Sequence, residues 1–161
     1  MRMMLGFLVL LFSTNAILAC EGPEYRQFDF WLGQWTVYTA DGKVAGENDI
    51  SLREDGCVLQ EQYVTAGGYK GESLNIYDKS RQRWHQTWVD NQGGLLQLDG
   101  GLQNGAMVLE GMAFIAPDTE RLNRISWTPN ADGSVRQHWQ YQEPSGEWKT
   151  VFDGLYKRRQ Q

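Results

Sequence analysis

Residues 72–105 read ESLNIYDKSRQRWHQTWVDNQGGLLQLDGGLQNG. Three short runs rich in β-branched, aromatic and other apolar residues, at 72–78, 83–90 and 94–100, alternate with the clusters DKS, NQG and NG. Asp, Asn, Ser and Gly suit tight turns, because they form local hydrogen bonds or accept a positive φ. Short runs bounded in this way are typical of consecutive antiparallel strands joined by hairpins.

The same spacing continues in both directions along the chain. Turn clusters recur roughly every 13 residues, which leaves room for a strand of about 8–10 residues between successive turns. The nine clusters are 41–42, 55–56, 67–68, 78–80, 91–93, 104–105, 117–118, 132–133 and 144–146. They delimit ten segments, of which the most strand-like are 34–39, 57–65, 72–78, 83–90, 94–100, 106–115, 121–127, 134–142 and 147–157.

One segment departs from the strand pattern. Residues 23–32 predict one or two helical turns, with Phe28 and Trp31 on the same side at i and i+3. Ten sequential strands with one apolar face should curl and close, since closure removes the exposed edges of a sheet. We therefore predict an all-β fold, a single antiparallel up-and-down β-barrel of about ten strands over residues 20–161, with the helical turn as a lid or plug.

Composition excludes some partners. The chain carries a formal net charge of −5, with 41% hydrophobic and 22% charged residues. An acidic domain does not attract a nucleic-acid backbone or an anionic membrane surface. We expect no nucleic-acid partner, a monomer, and contact with a membrane only through a lipid on Cys20.

The first 19 residues have the pattern of a bacterial export signal. Arg2 supplies a positive start, residues 5–12 are a continuous apolar run, and residues 13–19 shift toward small side chains. The apolar run is too short to span a bilayer. We predict a signal peptide at 1–19 and an exported protein, periplasmic or secreted.

Cys20 has three alternative fates. Ile17-Leu18-Ala19-Cys20 resembles a lipoprotein cleavage box, in which the cysteine is acylated and anchors the protein. Alternatively, Cys20 forms a disulfide with Cys57, the only other cysteine, because an oxidising compartment favours such a pair. In the third alternative both thiols are free. The sequence leaves the choice open.

Several strings carry a family resemblance. They are FDFWLGQW (28–35), DGCVL (55–59), LNIYD (74–78), WHQTWVD (84–90), LDGGL (98–102) and FDGLY (152–156). Gly33 and Trp35, as Gly-x-Trp opening the first strand, look like the start of the calycin superfamily, which includes lipocalins and fatty-acid-binding proteins. Together the strings are similar to an uncharacterised bacterial family of lipocalin-like barrels, from about Glu24 to Arg158. The resemblance implies a barrel with a ligand-holding lumen and no particular activity.

A related branch, the nitrobindins, holds haem through one axial histidine near the C-terminal end. The last segment here, 147–157, has no histidine, and the only two in the chain are His85 and His138. The resemblance therefore leaves haem open, and we predict no cofactor. Two histidines without a Cys-x-x-Cys motif also predict no metal site.

Strand alternation limits which side chains can share the lumen. Residues 84, 86 and 88 lie on one face of their segment, and 85, 87 and 89 on the other. The sequence does not show which face is inside, and tryptophans also serve as core filling. The predicted lumen and ligand-binding residues are Trp35, Glu61, Asn75, Tyr77, His85, Gln86, Trp88, Arg124, Gln137 and Trp139.

Three functions fit these observations. The first is a barrel that binds a small apolar or amphipathic molecule. The second is an enzyme that uses His85 with Glu61 or Arg124 on a small molecule, although no GxSxG, HExxH or P-loop motif occurs and catalytic residues remain unknown. The third is a barrel filled by tryptophans that serves as an envelope interaction module. Ligand binding is the favoured interpretation.

Overall fold

A computed structural model describes residues 20–159 and confirms the predicted all-β up-and-down barrel. Each strand pairs antiparallel with its neighbours in sequence, and the first strand pairs with the last, so the sheet is closed. The predicted signal peptide, 1–19, lies outside the described residues. The strands are β1 (Gly33–Thr39), β2 (Val44–Arg53), β3 (Val58–Val64), β4 (Lys70–Asp78), β5 (Arg83–Asp90), β6 (Leu95–Gln103), β7 (Ala106–Ala116), β8 (Thr119–Pro129), β9 (Val135–Gln142) and β10 (Trp148–Arg158).

Strand β2 is the segment with the weakest strand pattern in the sequence. It reads VAGENDISLR, and residues such as Gly, Asn and Asp are depleted in strands. It forms because both of its edges are paired: Asn48 lies opposite Trp35 of β1 on one side and opposite Tyr63 of β3 on the other. Tertiary pairing therefore outweighs local propensity here.

The alternation of side chains fixes which face is the lumen. On β5, Trp84 and Gln86 are buried inside the barrel, while Val89 is exposed on the outer surface. On β4, Ser73 and Asn75 are buried, whereas Leu74 is 52% exposed. Several polar side chains therefore point into the barrel while apolar ones on the same strand face outward.

One end of the barrel is closed by the N-terminal segment, and we call it the closed end. Two short 3₁₀ helical turns, Pro23–Arg26 and Asp29–Trp31, precede β1. Phe28 and Trp31 are fully buried and stack with ring centroids 4.9 Å apart. Phe28 also meets Trp84 and Trp127 edge-on, at 5.7 and 5.2 Å between centroids. These rings fill the half of the lumen next to the N-terminal segment.

The N-terminal segment is fastened to the closed end by a disulfide between Cys20 and Cys57. The Arg26 guanidinium donates a hydrogen bond to the Gly56 carbonyl, and Trp84 Nε1 donates one to Gln27 Oε1 at 3.2 Å. Of the three fates of Cys20, the structure has the disulfide, which occupies the sulfur to which a lipid anchor would be attached. Among the described residues, no helix has the length and apolar character needed to cross a membrane.

Candidate functional site

The other half of the lumen holds a cavity of about 280 Å³. The turns that follow β1, β3, β5, β7 and β9 surround it, and we call this the open end. Tyr156 lies between the packed rings of the closed end and the cavity. The lining residues are Glu61, Tyr63, Thr65, Tyr69, Gln86, Trp88, Leu96, Ile125, Gln137, Trp139, Val151, Phe152 and Tyr156.

Aromatic side chains make up much of the side of the cavity. We call five of them the aromatic wall: Tyr63, Tyr69, Trp88, Trp139 and Phe152. Hydrogen bonds hold two of these rings by their polar atoms. Trp139 Nε1 donates to Asn123 Oδ1 at 2.8 Å, and the Tyr69 hydroxyl donates to Asp90 Oδ2 at 3.0 Å. The wall is therefore fixed at its edges and presents carbon surface to the cavity.

Glycines on the strands make room for other rings of the wall. A side chain at Gly71 would overlap the ring of Trp88, and one at Gly154 would overlap the ring of Phe152. Each ring thus occupies the space of a missing side chain instead of the middle of the lumen. This arrangement keeps the open half of the barrel hollow although it contains large residues.

The inner end of the cavity is polar, and Glu61 is at its centre. Glu61 is 3% exposed, and its two carboxylate oxygens accept hydrogen bonds from Asn48 Nδ2 at 2.7 Å and from the Ser73 hydroxyl at 2.6 Å. We call the connected group of side chains the polar floor: Asn48, Glu61, Ser73, Asn75, Gln86, Gln137 and Tyr156.

A chain of donors within the polar floor ends at Glu61. Gln86 Nε2 donates to Asn75 Oδ1 at 2.8 Å, and Asn75 Nδ2 donates to Ser73 Oγ at 2.8 Å. Ser73 then donates to the carboxylate. Bonds aligned in one direction polarise each other, so the chain favours negative charge on Glu61.

The other side of the polar floor joins β9 and β10. The Tyr156 hydroxyl donates to Gln137 Oε1 at 2.7 Å and accepts from Asn48 Nδ2 at 3.3 Å. Both glutamines line the cavity; among the described residues, the side-chain bonds of Gln137 use its carbonyl and those of Gln86 use its amide nitrogen. The floor therefore offers a donor, an acceptor and a carboxyl group to a bound molecule.

Burial changes the ionisation of these groups. Desolvation raises the pKa of Glu61 from 4.5 to about 7, although the bonds from Ser73 and Asn48 oppose the change. Desolvation, together with the Glu61 carboxylate, raises the pKa of Tyr156 well above its ordinary value and also raises that of Tyr63. Within residues 20–159, no lysine, arginine or histidine lines the cavity.

The structure brings five of the ten predicted lumen residues together at the cavity: Glu61, Gln86, Trp88, Gln137 and Trp139. Asn75 faces inward but lies beneath the cavity in the polar floor. Trp35 and Tyr77 belong to the closed end, where Trp35 Nε1 donates to the Trp31 carbonyl at 2.9 Å and Tyr77 packs against Trp84. These two residues are packing residues rather than cavity residues.

Two of the predicted lumen residues lie on the outer face. His85 contacts Asp99 and Thr87 through its two ring nitrogens, each at 2.9 Å. Arg124 forms an ion pair with Glu110 and covers the ring of Trp148 at 4.0 Å. Their neighbours Gln86 and Ile125 are the residues that face inward, because side chains alternate along a strand. The expectation that His85 or Arg124 meets Glu61 in the lumen is therefore corrected.

Sequence reasoning missed several residues of the site. Asn48 was not predicted because β2 has a polar sequence without a clear strand pattern. Ser73 was not predicted because a single hydroxyl residue does not form a recognisable motif. Tyr63 shares the face of Glu61 at i+2, so strand alternation could have identified it. The other missed residues that line the cavity are Thr65, Tyr69, Leu96, Ile125, Val151, Phe152 and Tyr156.

No histidine that could act as the axial haem ligand of a nitrobindin lines the cavity in the described part of the chain. His138 bonds to Thr150 Oγ1 at 3.0 Å, and neither it nor His85 lines the cavity. The part of the chain that the structure describes also holds no cluster of three or more potential metal ligands.

The chain matches no family model and no curated protein. The structure supports the resemblance to lipocalin-like barrels at the level of the fold, and membership of that family stays a prediction.

Proposed function

We propose that this protein binds a small apolar or amphipathic molecule in the lumen of the barrel. The observation that carries the proposal is the cavity of about 280 Å³ in a barrel whose other half is tightly packed. An apolar cavity of about 150 Å³ is large enough for benzene, and pockets for larger ligands begin at about 300 Å³. The size therefore indicates a ligand with one to three rings or a short chain.

The chemistry of the lining supports an amphipathic ligand in a defined orientation. Carbon surface from the aromatic wall surrounds the cavity near the open end, and the polar floor lies at its inner end. An apolar body along the wall and a polar head at the floor would satisfy both regions. A barrel that served only as an interaction module would need no such cavity.

We propose further that the protein acts outside the cytoplasm. The disulfide between Cys20 and Cys57 is typical of an oxidising compartment, and the first 19 residues have the pattern of an export signal. An exported barrel with a ligand in its lumen fits the resemblance to the calycin superfamily.

A matched pair of variants tests ligand binding. Thr65 lines the cavity near the open end, and its neighbour Val64 is 45% exposed on the outer surface. Thr65→Phe adds a ring at the mouth of the cavity, whereas Val64→Phe adds the same ring outside the barrel. The uncharged fluorophore N-phenyl-1-naphthylamine serves as the probe, because its emission rises in an apolar site.

We expect the wild type and Val64→Phe to bind the fluorophore with one-to-one stoichiometry and similar affinity, and Thr65→Phe to bind it about tenfold more weakly or not at all. Absence of fluorophore binding when the wild-type protein is at millimolar concentration would contradict the proposal. Equal loss in both variants would place the site outside the lumen.

A further inference from the structure

Glu61 is a buried carboxylate without a positive partner in the described part of the chain. The residues that contact its oxygens, Asn48 and Ser73, are uncharged. The titratable groups that face it or line the same cavity are the hydroxyls of Tyr63, Tyr69 and Tyr156, and none of these carries positive charge. A buried carboxylate is stable in proteins when a cation accompanies it.

The hydrogen bonds to Glu61 favour its ionised form and oppose the desolvation that raises its pKa. Both oxygens accept hydrogen bonds from donors, and the chain from Gln86 through Asn75 and Ser73 directs its polarity toward the carboxylate. The Oδ1 atom of Asn48, in the amide that donates to Glu61, is itself buried without a donor among the described residues. Among the described residues, Asn48 Oδ1 therefore has no donor, and the Glu61 carboxylate has no positively charged one.

We infer that the molecule bound in the cavity carries a protonated amine, which contacts the Glu61 carboxylate, and an apolar body, which lies against the aromatic wall. This inference rests on the proposed function and specifies the class of ligand. The amine's N–H groups donate to Glu61 Oε atoms and to the Gln86 carbonyl. No covalent step is involved.

The aromatic wall suits a cation as well as an apolar body. The faces of tryptophan and tyrosine attract ammonium groups, and Tyr63 and Trp88 line the same cavity as Glu61. The negative net charge of the chain, −5, also raises the local concentration of cations rather than anions.

Binding of an amine would be favourable because Glu61 is already desolvated in the free protein. In most ion pairs, both partners lose hydration when they meet, and this loss offsets much of the attraction. Here only the amine loses water on binding. The carboxylate and its donors are held in place beforehand, so little reorganisation opposes the contact.

Three probes of matched size test the inference. They are 4-phenylbutylamine, 4-phenyl-1-butanol and 4-phenylbutyrate, which differ only in whether the head is positive, neutral or negative. Calorimetry at pH 8 should show the amine binding the wild type about tenfold or more tightly than the alcohol, as expected for a charge-assisted hydrogen bond, with the carboxylate weakest.

Glu61→Gln should abolish this preference, so that amine and alcohol bind within about threefold of each other. Glu72→Gln is the matched control, because Glu72 is exposed on the outer surface of β4 and its replacement changes the net charge equally. Persistence of the amine preference in Glu61→Gln, or its loss in Glu72→Gln, would overturn the inference.

A measurement on the wild type alone covers the case in which Glu61→Gln does not fold. Lowering the pH from 8 to 5.5 protonates Glu61 while the amine stays charged, so the preference for amine over alcohol should fall at least several-fold. An unchanged preference would overturn the inference. Binding of N-phenyl-1-naphthylamine without any amine preference would overturn only the ligand class, whereas no binding of any probe would overturn the proposed function too.

Discussion

The hydroxyl of Ser73 lies 2.6 Å from Oε2 of Glu61, and both side chains are buried. The two residues lie directly opposite each other on β4 and β3. Neither residue is placed by a loop, so the pair is positioned by the register of the barrel itself. The contact compensates part of the free energy lost when the carboxylate is desolvated, and the uncompensated part should make the stability of the protein depend on pH.

The first prediction concerns pH. The folded-state pKa of Glu61 is about 7, above the value of 4.5 that applies in the unfolded chain. The folded protein therefore holds the proton on Glu61 more tightly than the unfolded chain does. The resulting stabilisation is fully present below pH 4.5 and is lost as the pH rises toward 7. One pKa unit corresponds to about 1.4 kcal/mol, so ionisation of Glu61 should lower the free energy of unfolding by about 3 kcal/mol between pH 4.5 and 8.

Denaturant melts of the wild type and Glu61→Gln at several pH values measure this contribution. The variant cannot ionise at position 61, so its stability should fall about 3 kcal/mol less over the same pH range. Glu72→Gln should keep the wild-type profile. Parallel profiles for the wild type and Glu61→Gln would contradict the burial of a titrating carboxylate at this site.

The second prediction concerns Ser73. Its hydroxyl lowers the pKa of Glu61, so removing it in Ser73→Ala should raise that pKa further above 7. The pH midpoint of the stability loss should move upward in the same denaturant series. Ser51→Ala, at an exposed position on β2, should leave the midpoint unchanged. A midpoint that moves downward in Ser73→Ala would mean that the hydroxyl does not donate to the carboxylate.

The barrel was predictable because its pattern is repeated along the chain. Turn residues such as Asn104 and Gly105 mark each hairpin, and both adopt positive φ in the structure. The plug was predictable from the spacing of Phe28 and Trp31, which stack at the closed end. Strand β2 has no such local pattern and depends on pairing with β1 and β3.

The site was only partly predictable because it depends on which face of each strand is inside. Alternation groups Trp84 with Gln86 and separates both from His85, but composition does not reveal which group faces the lumen. Polar residues face inward at the floor, and apolar residues such as Leu74 face outward, contrary to the usual pattern. The hollow half of the barrel depends on contacts such as that of Trp88 over Gly71, which link different strands.

The third prediction concerns Trp35 at the closed end. Its ring is fully buried, lies under the Arg158 guanidinium at 4.5 Å and donates to the Trp31 carbonyl. Trp35→Ala should lower the free energy of unfolding by about 3–5 kcal/mol, as for other large core truncations. Trp148→Ala removes a ring that packs under Arg124 on the outer face. It should therefore lower the free energy of unfolding by less than about 2 kcal/mol. A loss under about 1 kcal/mol for Trp35→Ala would contradict its place in the core.

The fourth prediction concerns the disulfide, which links residues 37 positions apart. Closing a loop of that length restricts the unfolded chain and stabilises the fold by about 3–4 kcal/mol. Cys57→Ser and reduction of the wild type remove the same bond, so both should lower the free energy of unfolding by similar amounts. Denaturant melts with and without reductant make the comparison.

The intact mass of protein exported with its own first 19 residues identifies the fate of Cys20 directly. A denatured chain two hydrogens lighter than the reduced sequence means that the disulfide has formed, and we expect this result because Cys20 and Cys57 are bonded in the structure. An acyl increment would instead mean that Cys20 is lipidated and that Cys57 is a free thiol. In that case reduction would leave the stability unchanged, and the N-terminal segment would be held to the closed end only by contacts such as that of Arg26 with Gly56.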